Sequence, residues 1–207
     1  MFITFEGIDF CGKSTQIDLL KKYLQSLNKK VEIIREPGGT EISEIVRSVL
    51  LDKKHNRMRM ETEIFLFSAS RAQLVREKIQ PAINKGIYVI SDRFHDSTTA
   101  YQGYGRGIDL ETVKHINNLA IDGAIPDITF IIDISVQAAN ERKMRKGKSH
   151  LDRMELAEND FFERVREGYL TIARQEKRFR VIDGTKTINE INKLIIEEIN
   201  LLERKMV

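Results

Sequence analysis

The segment Gly7-Ile8-Asp9-Phe10-Cys11-Gly12-Lys13-Ser14 sets two glycines, a lysine and a hydroxyl at the spacing G-x-x-x-x-G-K-[ST]. Glycines at those positions let the backbone wrap with its N–H groups pointing inward. With the positive end of a following helix, those donors can cradle a polyphosphate. Lys13 then reaches the outer phosphates, and the Ser14 hydroxyl, followed by Thr15, sits where Mg²⁺ would ride on a bound nucleotide. The plainer reading is a strand–helix turn with a chance Gly-Lys-Ser. A predicted strand immediately before the motif and a predicted helix immediately after it argue against that reading. The motif indicates ATP or GTP and leaves the fate of the phosphate open.

Other groups narrow that fate. Arg35-Glu36-Pro37-Gly38-Gly39-Thr40 and Asp92-Arg93 each follow a strand-like run. Residues Arg142 to Arg153 carry six Lys or Arg and one acid, Asp152. A signalling GTPase would usually carry Asn-Lys-x-Asp. Neither Asn84-Lys85-Gly86-Ile87 nor Asn192-Lys193-Leu194-Ile195 supplies the final acid. Motor and transport ATPases are normally longer. Small kinases remain, since they need a second anion site for the acceptor and a basic lid.

These groups require a scaffold that brings them together. Apolar, β-rich runs at Phe2–Glu6, Val31–Arg35, Tyr88–Asp92, Ile128–Ile134 and Arg180–Asp183 alternate with helical patterns. The helices are expected over Ser14–Leu27, Glu41–Leu51, Met60–Asn84, Leu110–Asp122, Ser135–Lys146, Asp160–Glu176 and Ile188–Lys205. That alternation implies a parallel sheet covered on both faces, with ligands beyond the carboxyl ends of the strands. The expected architecture is α/β: a P-loop NTPase fold with a five-stranded parallel sheet, one domain over residues 1–207, and a short lid at about 142–154.

The composition suits this: 41% hydrophobic and 31% charged over 207 residues. A net charge of +3 gives no argument for nucleic acid as a partner. No stretch approaches the ~18 uninterrupted apolar residues of a membrane span. No targeting segment is visible, so a cytoplasmic setting is expected. The single cysteine, Cys11, excludes an internal disulfide.

The motif set as a whole resembles the thymidylate kinase family, of the bacterial type. The matching segments are the P-loop with an acid at Asp9, Arg35 through Thr40, Phe67 with Arg71, Asp92-Arg93, Ser97 through Gly107, and Leu151-Asp152-Arg153. The resemblance implies ATP·Mg²⁺ as donor, dTMP as acceptor and a homodimer, to which the Leu110–Asp122 helix could contribute. It also implies roles. Asp9 accepts from the acceptor's 3′-hydroxyl and helps organise the Mg²⁺ shell, and Asp92 binds Mg²⁺ through water. Phe67 stacks on thymine, and Arg71 bonds its carbonyl. Arg93 clamps the acceptor phosphate, with Arg47 near it, and Glu36 and Pro37 complete the pocket. Thr98 and Gln102 read the base edge, Ser97 lies beside them, and Tyr101 packs near the sugar 2′ position. Arg142 packs on adenine, while Arg145, Lys146 or Arg153 neutralises the transferred group.

Plainer readings accompany several of these. Phe67 could be core, Ser97 or Thr98 a helix cap, and the basic run a solvated helix face. Gly103, Gly105 and Gly107 suggest a flexible loop. Phe10 departs from the family pattern, which often has Gly or Arg there, and this points to a lid that supplies the catalytic arginine. Cys11, at a helix N-terminus, suggests an oxidation-sensitive thiol. A kinase acting on another nucleoside monophosphate is the alternative.

Overall fold

The computed structural model describes residues 1–146 and 151–206. Five parallel strands form one sheet: β1 (Phe2–Glu6), β2 (Val31–Arg35), β3 (Tyr88–Asp92), β4 (Ile128–Asp133) and β5 (Phe179–Asp183), in the order β2-β3-β1-β4-β5. Every residue of β1 is buried, as expected for a central strand covered on both sides. The register sets Phe5 beside Asp92, Arg35 beside Asp92 and Glu6 beside Ile131. The carboxyl ends of β1, β2 and β3 therefore converge, and each carries a charged side chain.

Helices cover the sheet: α1 (Lys13–Ser26), α2 (Glu41–Leu51), α3 (Met60–Leu74), α4 (Gln80–Asn84), α5 (His95–Thr98), α6 (Leu110–Ile121), α7 (Val136–Lys146), α8 (Asn159–Ala173) and α9 (Ile188–Met206). The larger apolar cluster joins Ile3 and Phe5 to Leu20 and Leu24 of α1, Val165 and Tyr169 of α8, and Ile195 and Ile199 of α9. A smaller one joins Phe2, Ile34 and Val89 to Leu74, Val75, Ile79 and Ile121. Phe2 and Ile3 alternate along one strand, so they feed the two clusters in turn.

Two local features differ from the sequence expectation, and a third is one on which it was silent. The helix expected over Met60–Asn84 is interrupted by a π-helical stretch, Val75–Ile79, just before Pro81. A proline has no N–H to give the preceding turn, and a widened turn accommodates that loss. The stretch after Asp92 is helical, with α5 running into a second π-helical segment, Thr99–Gly105. Gly103 and Gly105 are therefore not a flexible loop. A Cβ on Gly105 would sit 2.6 Å from Phe161 and 2.8 Å from Val165, so glycine lets α8 lie against this segment. Finally, of the apolar residues of α2 only Leu50 is buried, while Ile42, Ile45 and Val49 are exposed.

Candidate active site

At the carboxyl end of the sheet lies a cavity of about 320 Å³. Its wall includes Asp9, Ser14, Glu36, Pro37, Arg47, Phe67, Arg71, Asp92, Arg93, Ser97, Thr98, Tyr101 and Gln102. The P-loop, both post-strand motifs and one face of α3 are thus drawn to one place. Arg35, Leu51, Asp152, Met154 and Glu155 line it too, and had not been singled out for it.

The P-loop forms one end. Gly7 has φ 128°, and a Cβ there would come within 2.6 Å of the Ile132 carbonyl oxygen, so only glycine fits between the loop and β4. Phe10 takes the left-handed conformation, φ 64°. Lys13 is buried, its ammonium donating to the carbonyls of Gly7 and Ile8, both at 3.2 Å. Ser14 and Thr15 are exposed at the helix start. The Ser14 hydroxyl donates to Asp92 Oδ2 at 3.3 Å. This pair offers two hard oxygen donors at the lip of the cavity, which fits Mg²⁺, an ion that keeps several waters and leans on phosphate oxygens. Among the described residues no group of three or more acids, histidines or cysteines could hold a metal without such help.

Cys11 corrects an expectation. Its side chain points into the core at 1% exposure, with Sγ 3.6 Å from Lys13 Nζ. Burial shields this thiol from solvent oxidants.

Arg93 is the hub of the acceptor end. It too is left-handed, φ 69°. Its guanidinium donates to Asp9 Oδ1 at 2.5 Å, the Gly7 carbonyl at 2.9 Å, Tyr101 OH at 3.1 Å, and Ser97 Oγ and Tyr169 OH at 3.2 Å each. It pairs with Asp9, not with its neighbour Asp92. Burial pushes the Asp9 carboxyl up, but the charges of Arg93 and Lys13 outweigh it and hold Asp9 below its ordinary value. Tyr101 OH also donates to Asp9, at 3.1 Å. Behind Arg93, Glu6 accepts from the Phe94 N–H at 2.7 Å, Ser97 Oγ at 2.6 Å and Tyr169 OH at 2.8 Å. Burial, with repulsion from Asp96, raises the Glu6 carboxyl from 4.5 to about 7.

The base end is built on α3. Phe67 is half-buried on the cavity wall, one turn before Arg71. Arg71 is 1% exposed. It donates to Glu36 Oε2 at 2.7 Å, Thr98 Oγ1 at 2.9 Å, the Phe94 carbonyl at 3.1 Å and Asn117 Oδ1 at 3.4 Å. Burial raises the Glu36 carboxyl and Arg71 only partly offsets it. Ser97 and Thr98 lie inside α5, bonded to Glu6 and Arg71, and neither caps a helix. Arg47 donates to the Pro37 carbonyl at 2.7 Å, across the cis Glu36–Pro37 turn.

The expected lid residues separate. Arg142 donates to the carbonyls of Phe10, Cys11 and Gly184, joining α7 to the P-loop and the β5 loop. Arg145 is exposed and lines no part of the cavity. Residues 147–150 and the side chain of Lys146 lie outside the described residues. Arg153 does not line the cavity and donates to the Leu50 carbonyl at 2.7 Å and to Glu63 Oε2 at 2.6 Å. A buried carboxylate holds it there, in place of the expected position beside a transferred phosphate. The sequence reading passed over Glu63, although it stands four residues before Phe67 and eight before Arg71 on the same helix face.

A P-loop at the end of a parallel sheet, joined by one cavity to a second arginine-rich anion site and an aromatic wall, defines a kinase acting on a small phosphorylated acceptor. The thymidylate kinase family model matches residues 5–195. A thymidylate kinase of Kosmotoga olearia is 46% identical, covering 100% of this chain and 98% of that protein. One from Thermosipho melanesiensis is 50% identical over 92% and 93%. The crystal structure of thymidylate kinase from Ehrlichia chaffeensis superposes with a TM-score of 0.77 at 38% identity, covering 97% and 98% of the two chains. The chain belongs to the thymidylate kinase family.

Proposed function

We propose that this protein transfers the γ-phosphoryl group of ATP to dTMP, giving dTDP. The observation that carries this reading is the continuity of one cavity from the Ser14–Asp92 pair, past Arg93, to the Phe67 wall. That span offers a donor site, an acceptor phosphate site and a flat base site in line. Ser14 and Asp92 would hold Mg²⁺ together with the nucleotide, and the ion would supply charge neutralisation at the phosphates.

The chain's own residues do the rest. Lys13 turns from backbone carbonyls to the donor phosphates. Arg93 and Arg47 fix the acceptor phosphate, a task suited to planar guanidinium groups. Phe67 stacks on the base, and Tyr101, held by Asp9 and Arg93, limits the space beside the sugar. An acceptor phosphate oxygen is already ionised near neutral pH, so no protein base is needed. Arg142 is placed between the P-loop and the β5 loop, which supports the expected role beside adenine. Among the described lid arginines, Arg142 is engaged by three backbone carbonyls and Arg153 by the buried Glu63, so we assign Arg145 to the transferred group. Ile42, Ile45 and Val49 of α2, Phe65 of α3 and Leu119 of α6 are exposed on helices that adjoin one another. That apolar surface supports a homodimer. No helix among the described residues is long and apolar enough to cross a membrane; a cytoplasmic setting is part of the proposal.

The test is ADP release with ATP·Mg²⁺ and a panel of dTMP, dUMP, UMP, dCMP, CMP, AMP and GMP. Strong release with dTMP is expected. Equal or stronger release with a purine monophosphate would replace the thymine reading by another monophosphate kinase.

A further inference from the structure

Glu63 is buried at 1% exposure and takes four hydrogen bonds. Its Oε1 accepts from Gln102 Nε2 at 3.0 Å and Arg106 Nε at 3.1 Å. Its Oε2 accepts from Arg106 at 3.2 Å and Arg153 at 2.6 Å. Burial pushes this carboxyl up, but the hydrogen bonds and charge of Arg106, with Gln102 and Arg153, outweigh it and keep the group below its ordinary value. Glu63 is therefore ionised, and an ionised carboxylate can only accept.

That restriction fixes Gln102. The two ends of an amide are nearly the same shape, and a lone glutamine can turn either end toward a ligand. Beside Glu63 only the NH₂ end is tolerated, because the carbonyl end would set oxygen against oxygen. Gln102 is itself 1% exposed and lines the cavity with Phe67, Arg71 and Thr98. Among the described residues no hydrogen bond engages its Oε1, which leaves the carbonyl as the group available to a base. A fixed acceptor at that wall matches a ring N–H. Thymine and uracil carry one at N3. Cytosine has a lone pair there instead.

We propose that Glu63 is a specificity-determining positioning residue: by holding the NH₂ end of Gln102, it makes the pocket read a ring N–H and so admits thymine or uracil and rejects cytosine. This rests on the dTMP reading above and deepens it. It also gives the buried carboxylate work beyond joining Arg106 and Arg153, for which Gln102 is not needed.

The experiment compares kcat/KM for dTMP, dUMP and dCMP in the wild type and in Glu63→Gln. In the variant, residue 63 can present either end of its own amide, so Gln102 is free to turn. The dCMP:dTMP ratio is expected to rise about tenfold, the scale of one misplaced buried hydrogen bond. The dUMP:dTMP ratio is expected to stay fixed, since both bases carry N3–H. Glu63→Asp, which remains acceptor-only, is expected to return the dCMP:dTMP ratio toward the wild-type value. A purely structural role lowers all three substrates together, so a folded Glu63→Gln protein with wild-type ratios overturns the proposal. If that variant does not fold, the wild type decides. Strong rejection of dCMP and of N3-methylated dTMP, with dUMP accepted, supports the proposal. Comparable use of dUMP and dCMP by an enzyme that still prefers dTMP overturns it while leaving the dTMP reading intact. Loss of dTMP preference itself overturns that reading first.

Discussion

The donor loop and the acceptor pocket keep their cations in different company. Lys13 rests on two neutral carbonyls at 3.2 Å. Arg71 and Arg93 are bound to the carboxylates of Glu36 and Asp9, at 2.6 and 2.5 Å. Neutral partners are given up for phosphate oxygens at small cost, because the phosphate adds the attraction of a full opposite charge that a carbonyl dipole lacks. Carboxylate partners are not released, so the two arginines are set in place before any ligand arrives. The donor end is organised by charge that the nucleotide completes. The acceptor end is organised by geometry that the protein supplies in advance.

Three changes test that contrast. The largest effect is expected for Lys13→Ala. It should lower kcat by on the order of 10³-fold, the cost of losing one well-placed transition-state cation. Its circular dichroism should stay that of the wild type, because the hydrogen bonds lost are to two carbonyls and the Cys11 sulfur, and Asp9 keeps its pairing with Arg93. A variant with near-normal turnover would remove the donor half of the comparison. Next comes Arg71→Met, which leaves Glu36 buried without its counter-charge. Urea unfolding should show a loss of about 3–5 kcal/mol. Adding Glu36→Gln should restore part of it, giving a non-additivity above ~1 kcal/mol. Strict additivity would mean that the acceptor end is not built on that pair.

The smallest effect is a pH slope. Glu6, raised from 4.5 to about 7, favours the folded state in its protonated form. Its contribution is complete below pH 4.5 and is lost as pH climbs through 7. Glu6→Gln should therefore lose less stability between about pH 5 and 8 than the wild type, as read from urea midpoints. An unchanged slope would place the titration elsewhere.

Much of this arrangement was legible in the sequence, for identifiable reasons. The strands announced themselves as short apolar runs, and the P-loop by spacing that only one backbone shape satisfies. Phe67 and Arg71 were legible because they recur at helical spacing. Glu63 continues that series one turn earlier, but a lone acid in a helix reads as surface until its three partners, distant in sequence, are folded around it. Arg145, Lys146 and Arg153 stood as equal alternatives for the same reason, since a basic run does not reveal which member meets a buried carboxylate. The π-helical segment at Thr99–Gly105 was hidden because its glycines speak for a loop, and only packed neighbours explain them: Phe161 and Val165 of α8 at Gly105, Leu110 and Val113 of α6 at Gly103. The exposed apolar side of α2 was likewise invisible, because a hydrophobic stripe looks the same whether its partner is the sheet or another molecule.

The burial of Cys11 has a practical consequence. The chain has one thiol, and it faces the core beneath the phosphate loop. A cysteine introduced at an exposed position, Met144 of α7 for instance at 71% exposure, would be the one readily alkylated sulfur in the folded protein. A fluorophore placed there reports on α7 during turnover without first stripping the enzyme of a native residue.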